Sequence, residues 1–276
     1  MVKAQKHLDE NYSAEVKNSV EYIDLNSKNL ERHLDMSDFP NIKNLWANNN
    51  QLTSLDINEN NKLVKVLLND NKITSNLNIF SHLTKLFLLN LESGIGDEKG
   101  NDFVGSLKAF ENCQWLGVLN INYNEKITEG LEYLPNEIEC FSCKGTIFEK
   151  MLKPFTDIYN DKKDILAWKL VNYPNHAAKN LDELIELSDH KIGEINSILK
   201  ISYSRPGYEN DERKLFLENK LKLVSDCKEK TVQAFSHKMV EKIVEENKEL
   251  KNKVEELERQ MKQLSLEAKI EIPPKK

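Results

Sequence analysis

Between Val20 and Phe148 one short apolar phrase keeps returning, and that recurrence leaves few folds open to the chain. Val20, Ile23 and Leu25 open the first unit. Ile42, Leu45, Ala47, Asn50 and Leu52 form the second, and Leu63, Val66, Leu68, Asn71 and Ile73 the third. Leu83, Leu86 and Leu88 read as the start of the fourth, Leu116, Leu119, Ile121 and Asn124 as the fifth, and Ile138, Phe141 and Cys143 as the sixth. The units begin at 20, 42, 63, 83, 116 and 138, giving steps of 22, 21, 20, 33 and 22 residues. A unit this short cannot bury an apolar face alone, so neighbours must stack into one continuous core.

Each unit supplies a short strand. Side chains alternate along a strand, so positions four and six of the phrase point inward and positions three, five and seven outward. Asn50, Asn71 and Asn124 stand at position nine, where the chain turns off the strand and a side-chain amide can satisfy backbone groups that the ladder leaves free. The pattern L-x-x-L-x-L-x-x-N-x-L resembles the leucine-rich-repeat family. The Asn-rich wording, as in NNNQLTSLDI and GLEYLP, is similar to repeat sets of some fungi. The resemblance implies an α/β solenoid with parallel strands on its concave face, followed here by an all-α region. Lys28, Leu91 and Thr146 depart from the pattern by filling the Asn slot of units one, four and six. Residues 92–102 read as an insertion that accounts for the long step. Ala4–Tyr12 reads as a helix covering the open N-terminal end of the core, which makes 1–148 the repeat domain.

Parallel strands align outward side chains into columns. The position-five column reads Asp24, Trp46, Leu67, Phe87, Asn120 and Ser142, and Leu89 extends its apolar centre. Asn44, Lys65 and Lys85 flank it on one side, Asn48 and Asn69 on the other. Aromatic and aliphatic anchors ringed by polar groups resemble the centre of a protein interface. These residues are the expected contact surface for a protein or peptide, unless the chain's own helices cover them.

Residues 149–235 read as helical. The stretches 149–160 and 164–172 come first, with Pro154 restricting the first and Pro174 ending the second. Leu184, Ile185, Leu187, Ile192, Ile195, Ile198 and Leu199 then follow the i, i+3, i+4 spacing of one amphipathic helix. Residues 204–212 read as a loop. Beyond it, 236–270 carries heptads. Val240, Asn247, Val254, Met261 and Ala268 take position a; Ile243, Leu250, Leu257 and Leu264 take position d. Val at a with Leu at d favours two strands, and facing Asn247 side chains favour a parallel, in-register pair. Across such a pair Glu246 meets Lys251, and Lys253 meets Glu258. The tail is therefore expected to form a parallel homodimer through a coiled coil, with 271–276 disordered after Pro273. Val232, Phe235 and Met239 fall out of phase, which predicts a stutter or break near Met239.

Other classes are disfavoured. A net charge of −6 does not suit nucleic acid, whose phosphates need a basic surface. No apolar run is long enough to span a membrane. The charged N-terminus does not read as a secretory signal, so Cys113, Cys140, Cys143 and Cys227 are expected as reduced thiols in the cytoplasm. Cys140 and Cys143 lack a second ligand pair for zinc, and Cys143 falls at an inward position. The glycine-rich stretch 94–100 lacks the Lys-Ser/Thr of a phosphate loop. No catalytic residue, metal or cofactor is expected. The leading expectation is a non-enzymatic adaptor; the alternative is a regulatory or substrate-receptor subunit of an enzyme complex.

Overall fold

The computed structural model describes residues 2–94, 100–204, 207 and 211–270; of Met239, Glu258 and 262–270 it describes the backbone alone. The chain forms two compact units, 1–225 and 226–276.

The first unit is a solenoid of parallel strands. Six of them, Tyr22–Asp24, Asn44–Trp46, Lys65–Leu67, Leu88–Asn90, Val118–Asn120 and Cys140–Ser142, form one sheet in chain order. Ile23, Leu45, Val66, Leu89, Leu119 and Phe141 lie opposite one another along it, and all are buried. Leu25, Ala47, Leu68, Leu91, Ile121 and Cys143 form a second buried layer. Identical strands in identical register thus build one core from side chains that no single unit could shield.

This register corrects the fourth unit. It begins at Leu86, not Leu83, so Leu89 and Leu91 take the inward positions. The stretch Leu83-Thr-Lys-Leu-Phe-Leu-Leu-Asn-Leu91 satisfies the repeat phrase in either frame. Pairing with Val66 and Leu119 selects one, because a slipped strand would turn its leucines to solvent. The Asn slot of this unit is then filled by Asn101, beyond the insertion, instead of Leu91. Residues 95–99 of that insertion lie outside the described residues.

The asparagines form a buried ladder. Asn71 donates from Nδ2 to the Ala47 carbonyl one turn back (2.9 Å) and to its own Leu68 carbonyl (3.0 Å), and accepts from the Leu52 amide (3.1 Å). Asn50, Asn101 and Asn124 repeat this scheme, Asn101 reaching Leu68 and Leu91 and accepting from Ile73. Each amide therefore stitches two successive turns. The residue just before the slot is left-handed in five units: Ser27, Asn49, Asp70, Tyr123 and Gly145 have φ of 54°, 56°, 56°, 61° and 74°. Asn and Asp tolerate that conformation better than most side chains, which gives the Asn-rich phrase a backbone reason.

After each turn the chain enters a second parallel strand or a short 3-10 turn. Leu30–Asp35 pairs with Gln51–Asp56, and Thr74–Asn76 with Asp102–Ser106, outside the main sheet. The repeat phrase did not announce these strands. A second buried amide, Asn60, donates to Met36 and Phe39 carbonyls at 3.0 Å each and joins these outer segments. At the N-terminal end, α1 (Ala4–Asn11) buries Ala4 and Leu8, and Tyr12 meets Phe39 edge-on at 5.5 Å. α2 (Ala14–Lys17) follows, and Lys17 bridges Asp9 and Asp38.

Past the last strand come α3 (Ile147–Leu152), α4 (Ile165–Asn172), α5 (Pro174–Ala177) and α6 (Leu181–Tyr203). The helix expected over 149–160 ends early. Pro154 sits in a 3-10 turn, and Asp157 and Asn160 carboxyl and amide oxygens accept backbone N–H groups at Tyr159 and Lys162, closing local turns in place of helix. α4 starts on the Asp164 cap, which accepts from the Ala167 amide at 2.9 Å, and is buried from Ile165 to Leu170. It docks on the turn before the last strand: Lys169 Nζ donates to the Leu134 carbonyl and to Asn136 Oδ1 (3.0 Å). Asn136 in turn donates to the Ala177 carbonyl at 2.8 Å. The helical segment thus closes the C-terminal end of the core.

α7 (Glu212–Ile270) is one helix of 59 residues. No break occurs at Met239. Its first turns, through Leu217 and Val224, are buried in the first unit. From residue 226 onward it constitutes the second unit.

Candidate functional site

The outward positions of the main sheet define the concave surface. Position three runs Tyr22, Asn44, Lys65, Leu88, Val118 and Cys140; position five runs Asp24, Trp46, Leu67, Asn90, Asn120 and Ser142. Trp46 and Leu67 stand in the expected column and are half-buried, flanked by half-buried Asn44, Asn48 and Asn69 and exposed Lys65. The frame of the fourth unit removes three residues from it. Leu89 is fully buried between Val66 and Leu119, so it offers no contact surface. Phe87 precedes its strand, and Asn90 takes its column. Lys85 lies before the unit and is exposed there.

The apolar run that results is Tyr22, Trp46, Leu67, Leu88 and Val118. Tyr22 packs edge-on against Trp46 with ring centroids 5.1 Å apart. Phe87 contributes from the strand's edge. Its ring lies over Gly117, where a Cβ would come within 2.5 Å of it, so a larger residue there would displace the ring. Leu88 was missed because the frame of unit four turned it inward; Val118 stands at position three of a correctly framed unit and was left out of the flanking set. Starting the unit at Leu86 gives steps of 23 and 30 residues in place of 20 and 33, so the spacing alone did not select the frame.

A polar lane borders this run. Glu92 receives the Asn120 amide at 2.8 Å and the Asn122 amide at 3.5 Å. The groove therefore presents fixed amides and the Glu92 carboxylate along this run, with the Asp24 carboxylate at its aromatic end. The buried titratable groups lie elsewhere. Burial pushes the Cys113 thiol up to about 11 and the Cys143 thiol to about 12, so both stay protonated and act as small core residues. Burial also lowers the Lys169 ammonium to about 8, partly offset by Glu132. Asp164 lies between Lys220 (3.1 Å) and Lys191 (3.3 Å), which hold its carboxyl below the usual range despite burial. Among the described residues no group of His, Cys, Asp and Glu has metal-ligand geometry, and no helix is long and apolar enough to cross a membrane.

In the second unit the heptad residues lie on one continuous helix. Val240, Ile243, Leu250, Val254, Leu257 and Met261 are 46% to 70% exposed, and Asn247 is exposed among them. Glu246 reaches Lys242 within its own helix at 3.7 Å. Leu264 is on the helix, its side chain outside the described ones.

No protein-family model matches the chain, and no curated protein sequence does. A solved structure, the plant peptide hormone receptor RGFR1 in complex with RGF2, is similar over 46% of this chain at 22% identity, with a TM-score of 0.38. The match spans 21% of the receptor chain's length. The fold class, a leucine-rich-repeat-type solenoid of parallel strands followed by helices, stands on this chain's own strand register and asparagine ladder.

Proposed function

We propose that the chain is a non-catalytic binding scaffold whose concave face takes an extended protein or peptide segment, and whose tail pairs two copies. The single observation behind the first part is the half-exposed run from Tyr22 through Trp46, Leu67 and Leu88 to Val118 on an otherwise polar surface. Apolar anchors with a polar rim lose water on contact and carry most of the energy of an interface. Asn44, Lys65, Asn48 and Asn69 supply that rim; Phe87 and Lys85 border its edge.

The second part rests on the exposed stripe from Val240 to Met261. Leaving that stripe in water forgoes the burial of two apolar faces, which a parallel coiled coil supplies. Lys251, Lys253 and Glu246 are placed to pair across it, each exposed pair worth about 0.5 kcal/mol and so selecting register more than stability. Two grooves on one dimer would bind a divalent partner with avidity. A cytoplasmic setting with reduced thiols suits four free cysteines.

Capture of partners from extract by the full chain, compared with Trp46→Ala and Leu67→Ala, tests the groove. Partners recovered by the parent but lost from both variants support it. Trp115→Ala serves as the control, because Trp115 is 75% exposed and lies outside the concave columns. Equal recovery by all the variants would place the contact surface elsewhere. A second reading, a receptor subunit within an enzyme complex, uses the same groove and would be distinguished by an enzyme among the captured proteins.

A further inference from the structure

A cleft of about 620 Å³ opens where the concave lanes meet the segment after the last repeat. Four of its lining residues are lysines, Lys144, Lys150, Lys153 and Lys163, against two carboxylates, Glu149 and Asp161. In a chain with a net charge of −6 this is a local excess of positive charge. The two carboxylates are already committed. Glu149 accepts the Gly145 amide at 2.9 Å. Asp161 lies 3.0 Å from Lys163 and keeps an 84% exposed side chain.

Lys163 is the informative member. Its side chain is 6% exposed. Its ammonium has three donors, and among the described residues it makes two hydrogen bonds, both to Asp161: to the carbonyl (3.2 Å) and to Oδ2 (3.0 Å). Paired with Asp161, the Lys163 ammonium keeps a third donor that an anionic acceptor entering the cleft can take. Lysines are point charges without the planar fork of arginine, so they suit single carboxylates in varied geometry. Asn122 and Ser142 belong to both the concave lanes and the cleft wall, so an extended segment lying on the sheet runs into it.

The geometry points to an acidic peptide segment as the ligand of this cleft, with one side-chain carboxylate on Lys163 and a second at Lys150 and Lys153 on the rim. This rests on the reading of the concave face as a peptide groove and adds the charge of the partner to it. The acidic body of the protein repels such a peptide elsewhere, which makes the cleft the place where it settles.

The test uses the full chain and a short labelled peptide of Glu, Gly and Ser, with its Gln counterpart. The Glu peptide is expected to bind at least about tenfold more tightly than the Gln peptide, as charge-assisted hydrogen bonds require. Lys150→Glu combined with Lys153→Glu, both exposed, should lose the same factor, whereas Lys28→Glu combined with Lys72→Glu should not. Lys163→Met is read beside its thermal melt; loss of binding at an unchanged melting temperature supports its role. Equal binding of the two peptides, equal loss in both double variants, or tighter binding of inorganic phosphate than of the Glu peptide would overturn the proposal. Trp46→Ala in the same assay separates the two readings. Loss with Trp46→Ala alone rejects the cleft and keeps the groove; loss with the lysine pair alone keeps the cleft and rejects the groove.

Discussion

Replacing Asn71 by Ala removes one side chain, strands the Leu52 amide and takes one of two side-chain donors from each of two carbonyls. The Leu52 amide loses its acceptor at 3.1 Å, while the Ala47 and Leu68 carbonyls lose the Asn71 donor at 2.9 and 3.0 Å but keep Asn50 Nδ2 at 3.1 Å and Asn101 Nδ2 at 2.8 Å. Asn71 is 2% exposed, so water reaches these groups only by opening the turn. A buried group left unpaired costs about 1–3 kcal/mol and a carbonyl that keeps one of two donors loses less, which puts the total at roughly 2–4 kcal/mol. Against a typical stability of about 5–15 kcal/mol that is a large fraction. Asn71→Asp should be at least as harmful. It keeps an acceptor for Leu52 but turns a carboxylate toward two carbonyl oxygens. The assay is urea unfolding followed by circular dichroism and tryptophan fluorescence, which also checks that the transition stays cooperative. Asn69→Ala, two residues away on the half-exposed concave face, is the control and should fall within about 0.5 kcal/mol of the parent. If Asn71→Ala costs no more than Asn69→Ala, the ladder does not hold the turns together.

Lys169 gives a pH dependence with a definite sign. Its ammonium titrates near 8 when folded and at 10.5 as a free side chain, so between these values the unfolded chain binds more protons and stability rises with pH. The full window amounts to roughly 3 kcal/mol. Above pH 9 the buried Cys113 and Cys143 thiols act oppositely, so the effect is read as the slope difference between the parent and Lys169→Met from pH 8 to 9; identical slopes would refute it. Asp164→Ala should cost about 3–5 kcal/mol in urea or heat, because it leaves Lys191 and Lys220 without their shared partner and uncaps α4. A loss below about 1 kcal/mol would mean that the three charges are hydrated. Leu250→Lys combined with Leu257→Lys should halve the sedimentation mass of the full chain, since both place charge in the proposed seam. An unchanged mass would assign self-association to another surface.

The legible part of the site was the part where one frame fitted the pattern. Trp46 and Leu67 sit in units whose leucines allow a single register. Phe87, Lys85 and Leu89 were misplaced because Leu83, Leu86, Leu88, Leu89 and Leu91 satisfy the phrase in two frames. The choice between them is made by hydrogen bonding to the neighbouring strands, which a linear pattern does not contain. Asn101 followed by Phe103 repeats the end of the phrase and was the one local clue. The early end of the helix after Phe148 has a similar origin, since Asp157 and Asn160 bind backbone groups in a turn that apolar spacing does not reveal.

Sequence alone determined the repeat, the inward residues outside the fourth unit, and the role of Asn50, Asn71 and Asn124. These follow from local rules: alternation along a strand, and the donors and acceptors of one amide. Only the tertiary structure decided which residues face the groove in the fourth unit, that α4 closes the core through Lys169, and that Lys163 is buried beside a basic cleft. Those depend on which distant segments meet, and burial and partner identity belong to the meeting and not to any stretch of chain by itself.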